Sequence, residues 1–256
     1  MNDITKTQGS ELSAEQLSSW GSSSNLGSDD FKLSSILLMQ GTSAMVKDME
    51  HEAKIGEFRD NRTGELLGSI KEPKLFVPFH VEKRWDIEFL KDGKWKWFDS
   101  ELFSIENSRR PISKNKTAKR IVESTESGDF SYFISYRAFV LLVDDLERDV
   151  VKPYVVDFKN SSREVGRTLG LTMMQDNKLE KLSPAAYMFK LGAEEISNDE
   201  NSWLAYTAVR ADRTSAEHEV QAFKMHSLVK NMDASEAEEN SEQPEPKGHS
   251  ENDLEF

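Results

Sequence analysis

Two short runs interleave flat rings with cations: Lys83-Arg84-Trp85 and Lys94-Trp95-Lys96-Trp97. Binding a single-stranded nucleic acid calls for this mixture, because aromatic faces stack on unpaired bases while ammonium and guanidinium groups track the phosphates. A stacked base contributes roughly 1–3 kcal/mol. The plainer alternative makes Trp85, Trp95 and Trp97 core and the cations their solvated opposite faces. Strand alternation sharpens this choice, since it puts Trp95 and Trp97 on one face and Lys94 and Lys96 on the other. A third run, Arg109 to Arg120, holds six cations in twelve positions: Arg109, Arg110, Lys114, Lys116, Lys119 and Arg120. As a flap beside a β-barrel it would close over a phosphate backbone; otherwise it is a solvated charged loop.

The chain closes on Glu251-Asn252-Asp253-Leu254-Glu255-Phe256. Such a tip offers a ring to an apolar pocket, and an α-carboxylate plus two acids to a basic rim. On a disordered tether it raises its own effective concentration near a bound partner, and its acids compete with nucleic acid for basic surface. An ordinary solubilising tail has the same composition.

Enzyme chemistry has weaker signals. Asp157-Phe158-Lys159 has the acid–x–Lys spacing of a metal-dependent nuclease, with Asp144 and Asp145 upstream, and carboxylates holding Mg²⁺ beside a lysine activate water. The five histidines, His51, His80, His218, His226 and His249, show no zinc spacing. No phosphate-binding Gly-x-x-x-x-Gly-Lys loop and no Gly-x-Ser-x-Gly elbow occur. The reading is therefore a binding protein and not an enzyme, with no metal and no cofactor.

Composition sets bounds on these options. The 256 residues suffice for one large domain with a real core, and hydrophobic residues make up only 37 % because both ends are polar. There are no cysteines, which excludes disulfides, thiolate zinc sites and cysteine nucleophiles. No apolar run is long enough to span a bilayer, and residues 1–35 lack the basic and apolar regions of a secretory signal. The expected location is cytoplasmic, the host cytoplasm if the protein is viral. The net charge of −13 opposes polyanion binding, but nine acids against Lys247 place −8 of it between Asp233 and Phe256 and leave −5 for the rest.

The elements that must position these groups follow from local pattern. Residues 1–30 are Ser-, Gly- and Gln-rich and are expected to be disordered. A β-rich core spans 31–232, and an acidic disordered tail with a hydrophobic tip spans 233–256. Ile36-Leu37-Leu38-Met39 reads as a strand ended by Gly41, and Asn61-Arg62-Thr63-Gly64 as the tip of a hairpin. Lys74 to Leu90 alternates Val77, Phe79, Val81, Trp85, Ile87 and Phe89 with Pro78, His80, Glu82, Asp86 and Glu88, one row for a core and one for water; Pro78 marks an edge or bulge. Asp92-Gly93 turns it into the Trp95 strand. Asn107 to Thr125 reads as a mobile polar loop. Strands are expected at 130–143, 153–158, 185–195 and 203–211. One helix, capped by Ser161 or Ser162, carries Val165, Leu169 and Met173 inward. A last helix from Ser215 to about Lys230 carries Val220, Phe223 and Leu228 inward. The fold class is mostly β (α+β): an elaborated OB-like barrel with one inserted helix, one C-terminal helix and disordered ends.

The acidic tail with its terminal Phe resembles those of bacterial and bacteriophage single-stranded DNA-binding proteins. Further motifs resemble the phage proteins of this type: Leu38-Met39-Gln40-Gly41-Thr42-Ser43, then Gly56-Glu57-Phe58 to Asn61-Arg62-Thr63-Gly64-Glu65, then Val77-Pro78 to Trp85, and the strand and helix from Val155 to Thr172. The resemblance implies an OB-type core that coats and protects single-stranded DNA with little sequence preference. It also implies a tail, through Asp253, Leu254, Glu255 and Phe256, that recruits replication or recombination enzymes. It is compatible with a homo-oligomer and calls for no membrane. Other readings are the nuclease above and a virion structural or scaffolding protein.

Overall fold

A computed structural model describes residues 33–47, 53–104, 120–126, 128–176, 179–198 and 201–241; at 44, 120, 176 and 230–241 it is the backbone that is described. Two long strands form the spine. β4 (Lys74–Lys91) and β7 (Gly128–Leu142) pair antiparallel from Phe76↔Leu142 to Phe89↔Phe130. Both are rich in aromatic and β-branched residues, which suit a pleated surface.

The spine has different neighbours at its two ends. At the Phe76 end, β9 (Tyr187–Ser197) and β10 (Ser202–Arg213) extend the sheet on the β4 side. On the β7 side come β8 (Pro153–Phe158), then β1 (Ser34–Leu38), β2 (Glu57–Asp60) and β3 (Leu66–Ser69). The β1–β8 pair is parallel and its neighbours on this path are antiparallel. At the Phe89 end, β5 (Lys94–Leu102) flanks β4 and β6 (Arg120–Thr125) flanks β7. The Asp92-Gly93 turn between β4 and β5 has both φ angles positive, 55° and 72°, the geometry that matches strand twist in a two-residue hairpin.

The wide part of the sheet curls into a half-barrel. Phe58 of β2 stacks on Tyr206 of β10 at 6.1 Å, although these strands lie far apart along the sheet path. The Tyr206 hydroxyl donates to the Ile36 carbonyl of β1 at 2.6 Å. Side chains, not backbone ladder bonds, thus join the β10 edge to the β1–β2 region. The inside of the curl is a core of Ile36, Phe58, Phe76, Val140, Tyr154 and Phe158 with their neighbours.

Four helices accompany the sheet among the described residues: α1 (Ala44–Lys47), α2 (Val143–Leu146), α3 (Arg163–Leu171) and α4 (Ala216–Ser241). Leu169 of α3 and Met173, in the π turn Thr172–Asp176 that follows it, are buried in the inner core, with Val165 packed against it. Ala222 and Val229 of α4 are buried on the opposite face, against Val77, Phe79, Phe139 and Leu141. Among the described residues no helix is long and apolar enough to cross a membrane.

Several expectations are revised. A bulge between Pro78 and His80 inserts Phe79, so the apolar row of β4 splits: Val77 and Phe79 lie on the α4 side, Val81 on the inner side. The polar row does not face water; Glu82 is 6 % and Asp86 1 % exposed. Ser161 and Ser162 make no capping bond to α3. Their hydroxyls instead accept from Trp203 Nε1 and from the Tyr206 N–H of β10, both at 2.8 Å. In α4, Val220, Phe223 and Leu228 are exposed, because the small side chain of Ala222 lets the helix approach the sheet along a different face. Residues 120–125 form β6 and not the end of a loop, since Ile121 finds a buried place beside Trp85, Ile87 and Tyr132. The last helix continues beyond Lys230 to Ser241. Residues 1–30, the stretch Arg109 to Lys119 and the tip Asp253 to Phe256 lie outside the described residues.

Candidate functional site

The spine beyond the half-barrel is a four-stranded extension, β5-β4-β7-β6. Register fixes what shares its inner face. Lys83, Trp85, Ile87 and Phe89 stand opposite Tyr136, Ile134, Tyr132 and Phe130. Lys96 of β5 stands opposite Phe89 and so joins this face, with Lys94 beside it by alternation.

Trp85 is 4 % exposed, with its ring 5.7 Å from that of Phe103. It is core, and offers no face to a ligand. Lys83 Nζ lies 3.2 Å from the centre of the Phe103 ring, a cation–π contact. Burial pushes the Lys83 ammonium below its ordinary range, and the nearby guanidiniums of Arg163 and Arg167 push it further. Sequence pattern alone did not single out those two arginines. They lie one helical turn apart on α3, away from the Val165–Leu169 side. Glu164 pairs with both, at 2.7 and 3.3 Å. The cluster of Lys83, Arg163 and Arg167 with Glu164 therefore keeps a net positive charge.

Close packing sets the position of α3. A Cβ on Gly166 would come within 2.6 Å of Tyr136 Cβ and 2.7 Å of Phe158 Cβ. The bare backbone at Gly166 thus lets the helix lie flush on β7 and β8, and brings Arg163 and Arg167 to Lys83.

Further along the same face the rings of Phe89 and Phe130 are 5.1 Å apart, and Phe98 meets Phe130 edge-on at 5.5 Å. Phe98 is 57 % exposed, and Lys94 and Lys96 are exposed beside it. From Lys83 to Phe89 the strand advances about 20 Å at roughly 3.3 Å per residue. Trp95 and Trp97 project from the other face of β5, opposite Leu90 and Glu88, and Trp97 is 65 % exposed.

Arg84 belongs to that other face and to a charge network. Its guanidinium donates to Glu82 Oε2 at 2.8 Å, to Ser100 Oγ at 2.9 Å and to the Ser100 carbonyl at 3.0 Å. Ser100 Oγ in turn donates to Asp86 Oδ1 at 2.9 Å, and Lys159 Nζ lies 2.9 Å from Asp86 Oδ2. Burial pushes the Glu82 carboxyl up, but His80 and Arg84 outweigh it and hold it below the usual range. Arg137 lies beside Glu82 in the sheet register and donates to both oxygens of Asp157, at 2.8 and 3.3 Å. These pairs engage all three nitrogens of Arg84, and they engage Asp157 and Lys159 with separate partners. Asp144 pairs with Lys74, and Asp145 with Arg148 at 2.6 Å. Arg120 is the first residue of β6, opposite Phe133.

The site residues divide accordingly. Lys83, Lys94 and Lys96 share a face with the Arg163–Arg167 cluster and with Phe98. Trp85 and Arg84 are structural. A helical wheel would have exposed Arg163 and Arg167, since they fall opposite the apolar stripe of the helix expected from Ser162.

A mostly β protein with a half-barrel core is the class these features define. The chain belongs to the Pam3 phage gp34-like protein family, whose model matches residues 6–238. No curated protein and no solved structure matches it.

Proposed function

We propose that this protein binds single-stranded DNA with low sequence specificity, on the inner face of the β5-β4-β7-β6 extension, and recruits replication or recombination enzymes through its acidic C-terminal tip. The observation that carries this reading is the packing of α3, with Arg163 and Arg167, across β4 and β7 at Tyr136, the residue opposite Lys83, with Lys96, Phe98, Phe89 and Phe130 further along the same face. Cations hold phosphates at one end, and an exposed ring serves base stacking at the other. We read the half-barrel as the OB-like part of the molecule, with the extension widening its concave side. The cations Arg109, Arg110, Lys114, Lys116 and Lys119 enter the proposal by their charge alone.

The nuclease alternative needs Asp157 and Lys159 to serve one reacting phosphate. Their present partners, Arg137 and Asp86, favour a structural role for both. Titrating oligo(dT) into the full chain, with fluorescence anisotropy as readout, tests the binding. Saturable binding without Mg²⁺-dependent cleavage supports it, and absence of binding at low salt overturns it. Truncation after Ser241 tests the tail: DNA affinity should hold or rise, while capture of partner enzymes is lost.

A further inference from the structure

A cleft of about 460 Å³ opens where β10 faces the end of β8, and Gln40, Asp157, Lys159, Asn160, Ser161 and Trp203 are among the residues lining it. Its size falls in the range of small-molecule and nucleotide pockets, roughly 300–1,000 Å³.

The walls are fixed by bonds already made. Trp203 is half-buried, and its indole N–H donates to Ser161 Oγ at 2.8 Å, which sets the plane of the ring. The Gln40 amide is held at both ends by the backbone of Leu204. Asn160 has a left-handed backbone, φ 46°, a conformation that asparagine tolerates better than most residues, and its side chain is exposed at the cleft. An oriented ring beside the exposed Asn160 carboxamide matches the needs of a nucleobase: a stacking surface, with a donor and an acceptor at the base edge.

Position connects the cleft to the surface above. Asn160 and Ser161 lie three and two residues before Arg163, where α3 begins. The cleft and Arg163 of α3 are thus separated by less than one helical turn of chain. We infer that this cleft is a nucleobase-binding subsite, in which one base of the bound strand stacks on Trp203 with its edge toward Asn160. The inference rests on the single-strand-binding reading. The same chemistry would accept a free nucleotide.

The test uses the full chain with oligo(dT) carrying 5-bromodeoxyuridine, irradiated and mapped by peptide mass spectrometry. Binding of the unmodified oligomer is measured in parallel for the wild type, Asn160→Ala and Trp203→Leu, and thymidine monophosphate is titrated as a second ligand. An adduct on the Trp203 peptide is expected, together with binding about tenfold weaker in Trp203→Leu and a smaller loss in Asn160→Ala. Asn160→Ala removes an exposed side chain at some cost in backbone strain, since alanine tolerates a positive φ less well, and with its fold checked by circular dichroism it provides the second variant if Trp203→Leu is damaged. If the wild type binds oligo(dT) but adducts fall only elsewhere and Asn160→Ala binds normally, the subsite is refuted while the DNA-binding reading stands. If oligo(dT) does not bind but thymidine monophosphate does, and Asn160→Ala weakens it, the polymer reading fails and the cleft is a free-nucleotide site. Binding of neither ligand overturns both.

Discussion

The side-chain amide of Gln40 grips the backbone of Leu204 at both polar groups: Nε2 donates to the carbonyl at 2.7 Å, and the Leu204 N–H donates to Oε1 at 3.0 Å. A side chain here does the work of a paired strand. It satisfies one residue of the β10 edge and ties it to the end of β1, where Tyr206 and Ile36 make a second tie. Gln40→Ala removes both bonds. At about 1 kcal/mol net for each, the loss is about 2 kcal/mol, or a fall in Tm of about 4–8 °C for a domain of this size. Thermal unfolding followed by circular dichroism measures it, and an unchanged Tm would show that the half-barrel does not depend on this tie.

Gly166→Ala puts a methyl group against Tyr136 and Phe158, where the space is already below van der Waals contact. Overpacking of this kind costs about 1–3 kcal/mol. It also lifts α3 from the sheet and separates Arg163 and Arg167 from Lys83. Urea unfolding should show the loss of stability. At a denaturant-free concentration where the variant is folded, its oligo(dT) affinity should also fall. Affinity unchanged beside lower stability would separate α3 packing from the binding surface.

Acid sensitivity has a specific source at Asp60. Burial pushes its carboxyl up, but Lys152 at 2.8 Å and the amides of Arg62 and Thr63 outweigh this and hold it below the ordinary 3.8. A carboxyl depressed in the folded state contributes stability that is complete well above its unfolded value and is lost as pH falls through its folded value. Stability from this group is therefore constant at neutral pH, begins to fall near pH 4 and is lost as the pH drops through the depressed folded value. Asp60→Asn should flatten that acid limb and cost about 1–3 kcal/mol at pH 7, where Lys152 loses its partner. Unfolding free energies of both proteins between pH 3 and pH 7 would check the slope; parallel curves would place the acid sensitivity elsewhere.

Much of the scaffold was legible in sequence, for local reasons. The Asp92-Gly93 turn, the Asn61–Gly64 hairpin tip and the alternation of Lys74–Lys91 each have one low-energy backbone solution. The bulge at Phe79 was flagged only by Pro78, because alternation continues in the sequence while the geometry gains a residue. Ser161 and Ser162 carried a capping signal, but tertiary bonds from β10 took their hydroxyls. In α4, Phe223 has the stronger apolar character, yet Ala222 is buried, since close approach to a sheet rewards a small side chain. The binding face was half legible. Lys83, Lys94 and Lys96 stood out beside tryptophans, whereas Arg163 and Arg167 reach Lys83 only through the packing of α3 across β7.

The most direct test of the cation cluster is the salt dependence of oligo(dT) binding by the wild type and by a Lys83→Ala, Arg163→Ala, Arg167→Ala variant whose fold is checked by circular dichroism. For single strands each phosphate contact contributes about 0.7 to the slope of log affinity against log salt. The variant should bind more weakly at low salt, with a slope flatter by about 2. Equal affinity and equal slope in the two proteins would contradict a phosphate-binding role for this face.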